Sequence, residues 1–184
     1  MLHDRIKWNE KYRSQDYPAE PAAIVKQFFT LSHGKTALDI AAGSGRHAIF
    51  LAEQGFAVDA VDISDAGLAL FACRSAAIRP ICADLDTFDI PGQRYDLIVN
   101  VLYLNRRLFP QIREALRPGG ILIFETLVEP PEREGEGNHC RDYFLRENEL
   151  LHTFLALRIL HYHEEFHRGG EESRLLASLV AVRR

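Results

Sequence analysis

Leu38-Asp39-Ile40-Ala41-Ala42-Gly43-Ser44-Gly45-Arg46, followed one helix-length later by Val58-Asp59-Ala60-Val61-Asp62, decides how this chain folds. Ala37, Leu38 and Ile40 make a short apolar strand that runs into a tight glycine turn. The apolar spacing then predicts a helix over Arg46 to Gln54, with Ala48, Leu51 and Ala52 on its inner face. Gly55 stops that helix, and Phe56 to Val61 is the continuous apolar run of a buried parallel strand ending at Asp62. Glycine lets backbone approach a ligand closely, and a carboxylate after the second strand accepts both hydroxyls of a ribose. The strand–turn–helix–strand unit therefore reads as a nucleoside site.

Which nucleoside follows from Asp39. Gly43-Ser44-Gly45-Arg46-His47-Ala48 also fits G-x-G-x-x-A, a weak dinucleotide fingerprint on its own. A carboxylate just before the glycine turn would repel a pyrophosphate seated at the helix N-terminus and would favour a cationic ligand. S-adenosylmethionine offers a ribose for Asp62, carries no phosphate, and bears a sulfonium and an ammonium. At these residues the chain resembles the class I S-adenosylmethionine-dependent methyltransferases, whose first motif is D/E-x-G-x-G-x-G. Ala41 stands at the first glycine position, where we expect an ordinary negative φ.

Working outward, 184 residues with 47% hydrophobic content suit one domain with a substantial core. A formal net charge of −4 gives no electrostatic footprint for nucleic acid. Three cysteines, Cys73, Cys82 and Cys140, lack metal spacing and point to a reduced compartment, with Cys73 and Cys82 expected as buried, inert thiols. The charged stretch Asp4 to Lys11 argues against a signal peptide, and no apolar run approaches membrane-spanning length, so a soluble, cytoplasmic protein is expected. Nothing in the sequence points to an oligomeric state.

Leu2 to Tyr12 and Pro21 to Leu31 read as helices, forming an N-terminal cap over residues 1–33 of a single domain, 1–184. Further strands are expected at Thr36 to Ala41, Phe56 to Asp62, Pro80 to Ala83, Tyr95 to Val101 and Ile121 to Leu127. Ser64 suits the N-cap of a helix through Ala77, and Leu104 to Leu116 reads as a helix ended by Pro118-Gly119-Gly120. Residues 128–144 form a loop and lid candidate, and Asn148 to Leu155 a last helix. Strands Leu157 to Phe166 and Arg174 to Val182 close the chain around Gly169-Gly170. The alternation makes an α/β, doubly wound, mostly parallel sheet of Rossmann-like type finished by an antiparallel hairpin.

This order strengthens the resemblance, because class I methyltransferases have seven strands with the last antiparallel. Tyr95-Asp96-Leu97-Ile98-Val99 resembles their fourth strand, and Leu116-Arg117-Pro118-Gly119-Gly120-Ile121-Leu122 the motif before their fifth. Cys82-Ala83-Asp84-Leu85 resembles their adenine-contacting turn. Trp8-Asn9-Glu10-Lys11-Tyr12 and Phe144-Leu145-Arg146-Glu147-Asn148-Glu149-Leu150 look like the tellurite-resistance methyltransferase group. The resemblance implies that Asp39, Ala41, Gly43 and Gly45 hold the amino-acid end of S-adenosylmethionine, and that Asp62 holds the ribose. Ile63, Asp84 and Leu85 would then meet the adenine. Asn100, at the end of strand four, is either a ligand contact or a strand-end cap; Trp8 and Tyr12 are either a lid on the cofactor or core aromatics anchoring a helix.

The resemblance also places a His-Arg pair and a further arginine near the acceptor; His167, Arg168 and Arg174 match, with His167 able to take a proton. It implies a small-molecule acceptor: a chalcogen oxyanion, a thiol or another anionic nucleophile. The strand-four end, Asn100-Val101-Leu102-Tyr103, lacks the N/D-P-P-Y pattern of many amine methylators. The competing readings are a non-catalytic S-adenosylmethionine-binding regulator and an NAD(P)-dependent oxidoreductase. His161, His163 and His167 share a strand face with Glu165, which a solvated edge strand explains without a metal. Arg106 and Arg107 are either anion ligands or solvent-facing residues.

Overall fold

The computed structural model describes residues 2–15, 17–129, 143–169 and 172–184, with the side chains of 166–169 and 172–174 outside that description. In chain order the elements are α1 (Leu2–Ser14), α2 (Ala23–Phe28) with a 3₁₀ turn at Phe29–Leu31, β1 (Thr36–Ile40), α3 (Arg46–Glu53) and β2 (Ala57–Asp62). There follow α4 (Asp65–Ala69), β3 (Ile78–Cys82), β4 (Tyr95–Val101), α5 (Leu108–Ala115), β5 (Leu116–Leu127), α6 (Glu149–Thr153), β6 (Arg158–Gly169) and β7 (Glu172–Val182). The seven strands form one sheet in the order β3-β2-β1-β4-β5-β7-β6. β1 to β5 pair in parallel, and β7 runs antiparallel to both β5 and β6.

Both faces of this sheet are covered, as apolar parallel strands require. Leu38, Ile40, Ile98, Leu122 and Phe124 face a core closed by α5 and α6 through Leu108, Phe109, Ile112, Leu150 and Phe154. Ala37, Val58, Leu97, Val99 and Ile123 face the opposite core, closed by α2, α3 and α4 through Val25, Leu51 and Leu68. The chain steps outward from β1 to β2 and β3, then returns to β1's other side with β4. The strand order thus reverses between β1 and β4, and ligands of such sheets sit in the crevice beyond the carboxyl ends of those strands.

Several expectations need correction. Ala41 has φ +54°, the left-handed region, rather than a negative φ. Its neighbour explains this: the Ala42 N–H donates to the Val61 carbonyl at 3.0 Å, which forces the chain to turn abruptly off β1. Cys73 and Cys82 are exposed, because Cys73 lies in the turn after α4 and Cys82 points outward from the edge strand β3. The Ser64 cap stands, but α4 stops at Ala69. Its continuation tightens into i→i+3 bonds at Leu70, Phe71 and Arg74.

α5 begins at Leu108 because the Asn105 side chain takes the Arg107 N–H at 3.0 Å, acting as a local stop. β5 already begins at Leu116 and runs through Pro118-Gly119-Gly120, whose Gly119 N–H donates to the Arg183 carbonyl at 2.7 Å. α6 is shorter than expected at both ends, and most of the 128–144 loop lies outside the described residues. No described helix is long and apolar enough to cross a membrane.

Candidate active site

Four loops leave the carboxyl edge of the sheet, and the first carries the strongest electrostatic feature. Asp39, on β1, is 1% exposed, and among the described residues neither of its oxygens has a hydrogen-bond partner. A carboxylate stripped of water and left unbonded is costly and seeks a cationic donor. The loop above it turns through positive φ at Ala41, Gly43 and Gly45. A Cβ on Gly43 would lie 2.4 Å from the Tyr12 hydroxyl, and one on Gly45 would lie 2.3 Å from the Phe71 ring. The glycines therefore make room as well as permit the turn.

The second loop follows β2. Asp62 is 6% exposed; its Oδ2 accepts the Gly43 N–H at 2.8 Å and its Oδ1 the Ser64 N–H at 2.8 Å. Burial raises its pKa above the usual carboxylate range, those two N–H groups oppose the shift, and the charge on Asp39 adds to it. Each carboxylate oxygen keeps a second lone pair, so the residue that locks the two loops together retains acceptor capacity towards a ligand.

α1 lies over these loops, held by a residue that the sequence reading passed over. Asn9 Oδ1 accepts the Ser64 hydroxyl at 2.6 Å and the Ala66 N–H at 3.2 Å, while its Nδ2 donates to Asp65 at 2.8 Å. Arg5 adds a 3.2 Å contact to the same Asp65. Thus held, α1 sets Tyr12 against Gly43. Burial, then the charge of Asp62, raise the pKa of the Tyr12 phenol. Trp8 stacks on Tyr12 at 6.0 Å between ring centroids, and Tyr17 packs against Tyr12 at 4.5 Å. A cavity of about 390 Å³ opens beside this aromatic row, bounded by Tyr12, Arg13, Tyr17, Ser44 and Leu70.

The third loop carries Asp84 and Leu85 after β3, with Ile63 across from it after β2. Asp84 Oδ1 accepts the Asp86 N–H at 3.0 Å, a local turn, while Leu85 is buried and Ile63 is half-buried. In the fourth loop, Asn100 is buried and donates to the Tyr103 carbonyl at 2.7 Å, which is the strand-end cap geometry. Tyr103 is a second residue the sequence reading missed. Its phenol is pushed up to about 12, first by burial, with Asn105 opposing and Asp86, Asp84 and Asp62 reinforcing. Its hydroxyl accepts from the Asn105 side chain at 3.4 Å. A tyrosine two residues past a predicted strand end, beside acidic turns, was the available signal.

The structure brings Asp39, Ala41, Gly43, Gly45, Asp62, Tyr12 and Trp8 into one neighbourhood, with Ile63, Asp84, Leu85 and Asn100 on the same sheet edge. Arg106 and Arg107 are engaged elsewhere: Arg106 pairs with Glu149 at 2.6 Å and Arg107 with Asp89 at 2.6 Å. His167 and Arg174 are register partners across the β6–β7 hairpin, and Arg168 pairs with Ser173. The side chains of these three residues lie outside the described residues. β6 is the outermost strand, three strand spacings from β4, or about 14 Å. His163 bonds Glu165 at 2.9 Å, and His161 packs on Phe28.

Residues 37–120 match a family model described as methyltransferase domain. No curated protein matches the chain in sequence. Among solved structures, TehB from Haemophilus influenzae superposes with a TM-score of 0.75 at 18% identity, over 98% of this chain and 67% of that one. The 1,6-didemethyltoxoflavin-N1-methyltransferase of Burkholderia thailandensis, solved with its substrate and S-adenosylhomocysteine, gives 0.72 at 20% identity over 98% and 86%. The geranyl diphosphate C-methyltransferase of Streptomyces coelicolor gives 0.73 at 14% identity over 99% and 98%. The chain thus carries a methyltransferase-domain match over residues 37–120 and shares the fold of these methyltransferase structures.

Proposed function

We propose that this chain is an S-adenosylmethionine-dependent methyltransferase that acts on a small anionic nucleophile, such as a chalcogen oxyanion or a thiol, with the cofactor seated between Asp39 and Asp62. The observation that carries the cofactor pose is the buried, unbonded Asp39 carboxylate. A carboxylate in that condition fits an ammonium group and does not fit a pyrophosphate. Asp62 would take the ribose hydroxyls on its remaining lone pairs, Ile63 and Leu85 would flank the adenine, and Asp84 would accept from its amino group. The backbone of Ala41, Gly43 and Gly45 would line the amino-acid end, with Tyr12 and Trp8 as its cover and Asn100 bordering the reacting end.

The cofactor supplies a methyl group on a sulfonium. What remains for the protein is to exclude water and align the nucleophile with the carbon–sulfur bond. α1 serves the first task, since Asn9 holds its aromatic row over the glycine loop. For the second we assign His167, Arg168 and Arg174. β6 runs parallel to the main sheet, and the hairpin continues past Leu127, the last residue of β5, for the stretch that contains them. At about 3.3 Å per residue, they stand up to roughly 10 Å beyond the end of β5, on the carboxyl side of the sheet that also carries the glycine loop. Two arginines suit an anionic acceptor, and a histidine can take its proton. The toxoflavin and geranyl diphosphate enzymes, which act on small molecules, support a small acceptor here too.

The test is formation of S-adenosylhomocysteine across a panel of selenite, tellurite, thiols and small carboxylates. With the acceptor found, His167→Ala and Arg168→Ala should lower turnover and leave S-adenosylmethionine affinity nearly unchanged. Wild-type turnover in both variants would return the hairpin to scaffold.

A further inference from the structure

His47 is a buried ring that the site described above does not use. It sits in the first turn of α3, 4% exposed, between two other elements. Its Nε2 accepts the Ala22 backbone N–H at 3.3 Å, at the start of α2. Its Nδ1 lies 3.7 Å from Asp39 Oδ1. A ring nitrogen that accepts a hydrogen bond carries no proton, so in the neutral ring the proton must sit on the other nitrogen. Ala22 therefore fixes the tautomer and leaves the proton on Nδ1, the ring nitrogen that lies beside a carboxylate with no hydrogen-bond partner among the described residues.

We propose that His47 is a positioning residue for Asp39. Its Nδ1–H orients the carboxylate towards the glycine loop, and so makes the site select ligands that carry an amino-acid tail. At 3.7 Å the contact is longer than a hydrogen bond, and a movement of a few tenths of an ångström closes it. Such contacts are commonly loose without ligand and tighten when the site fills. The inference rests on the cofactor pose proposed above, because it acts only through Asp39. It also ties α2 to the ligand: the same ring that faces Asp39 anchors Ala22, so closure at the carboxylate is felt at the base of the N-terminal cap.

The experiment separates the two ring nitrogens. The side-chain amide of Asn places a nitrogen donor where His has Nδ1, whereas Gln places its amide where His has Nε2 and leaves Asp39 without a donor. Calorimetric titrations would use His47→Asn, His47→Gln and His47→Leu with two ligands: S-adenosylhomocysteine, and 5′-methylthioadenosine, which lacks the amino-acid end. Each variant's melting temperature would establish that it is folded.

We expect His47→Asn to keep S-adenosylhomocysteine affinity within about threefold. His47→Gln and His47→Leu should lose about tenfold, roughly the loss of one hydrogen bond to a charged group. Binding of 5′-methylthioadenosine should change less than about twofold in all three. If His47→Gln binds normally while His47→Asn is weak, the ring serves Ala22 alone and the inference falls. Equal weakening of both ligands overturns it as well. If the wild-type protein discriminates neither ligand by its tail, the Asp39 pose itself is wrong, and the inference falls with it.

Discussion

Ala41 holds a φ of +54° at a position where its relatives in motif use glycine, and a Cβ in that region costs about 1–2 kcal/mol. Ala41→Gly should therefore raise stability by about 1 kcal/mol, or about 2–4 °C in Tm for a domain of this size. An unchanged or lowered Tm in a melting experiment would show that the turn is unstrained. Asp39 offers the complementary test. Asp39→Asn removes a buried charge that accepts no hydrogen bond among the described residues, so the ligand-free protein should melt no lower than wild type. The same change should cost at least about tenfold in S-adenosylhomocysteine affinity by calorimetry, the scale of one charge-assisted hydrogen bond. Loss of stability with affinity intact would make Asp39 a scaffold residue. The expectation of a cationic ligand at Asp39 came from its place before the glycines, and the structure adds that the carboxylate is buried there. The left-handed Ala41 was not legible in the sequence, because the bond that imposes it comes from Val61, on the next strand.

At the scale of elements, α1 is attached chiefly through one side chain. Asn9 bonds Ser64, Asp65 and Ala66, the N-cap and first two residues of α4. None of α1's own residues is fully buried, so packing alone holds it weakly. Asn9→Ala should loosen the helix: amide exchange over residues 2–14 should rise by about tenfold, as expected for the loss of one or two net hydrogen bonds. Dissociation of S-adenosylhomocysteine should quicken, with little change in exchange at β1 and β4. Unaltered exchange in α1 would mean that its aromatic row, not Asn9, is the fastening.

The sequence placed Trp8 and Tyr12 on one face because both lie in a single helical period. It did not reveal the clasp, since Asn9 and its partners are more than fifty residues apart. Helix ends at α4 and α5 were misjudged for a local reason. i→i+3 tightening after Ala69 and the Asn105 stop are side-chain and turn effects that apolar spacing does not encode.

At the scale of the molecule, the seven strands of the sheet follow from where apolar runs alternate with helices, and they were readable from the chain. The lateral place of the hairpin was not. Antiparallel insertion of β7 between β5 and β6 puts β6 at the outer edge, which shared strand direction alone does not disclose. The whole architecture serves to bring two buried carboxylates, Asp39 and Asp62, to one edge from adjacent parallel strands. That juxtaposition is what distinguishes this crevice from a dinucleotide site, and thermal unfolding reads it directly. At about a hundredfold its dissociation constant, S-adenosylhomocysteine should add about 2.7 kcal/mol of stability and raise Tm by roughly 5–11 °C, while NADH leaves it unchanged. A melting shift with NADH and none with S-adenosylhomocysteine would contradict the account.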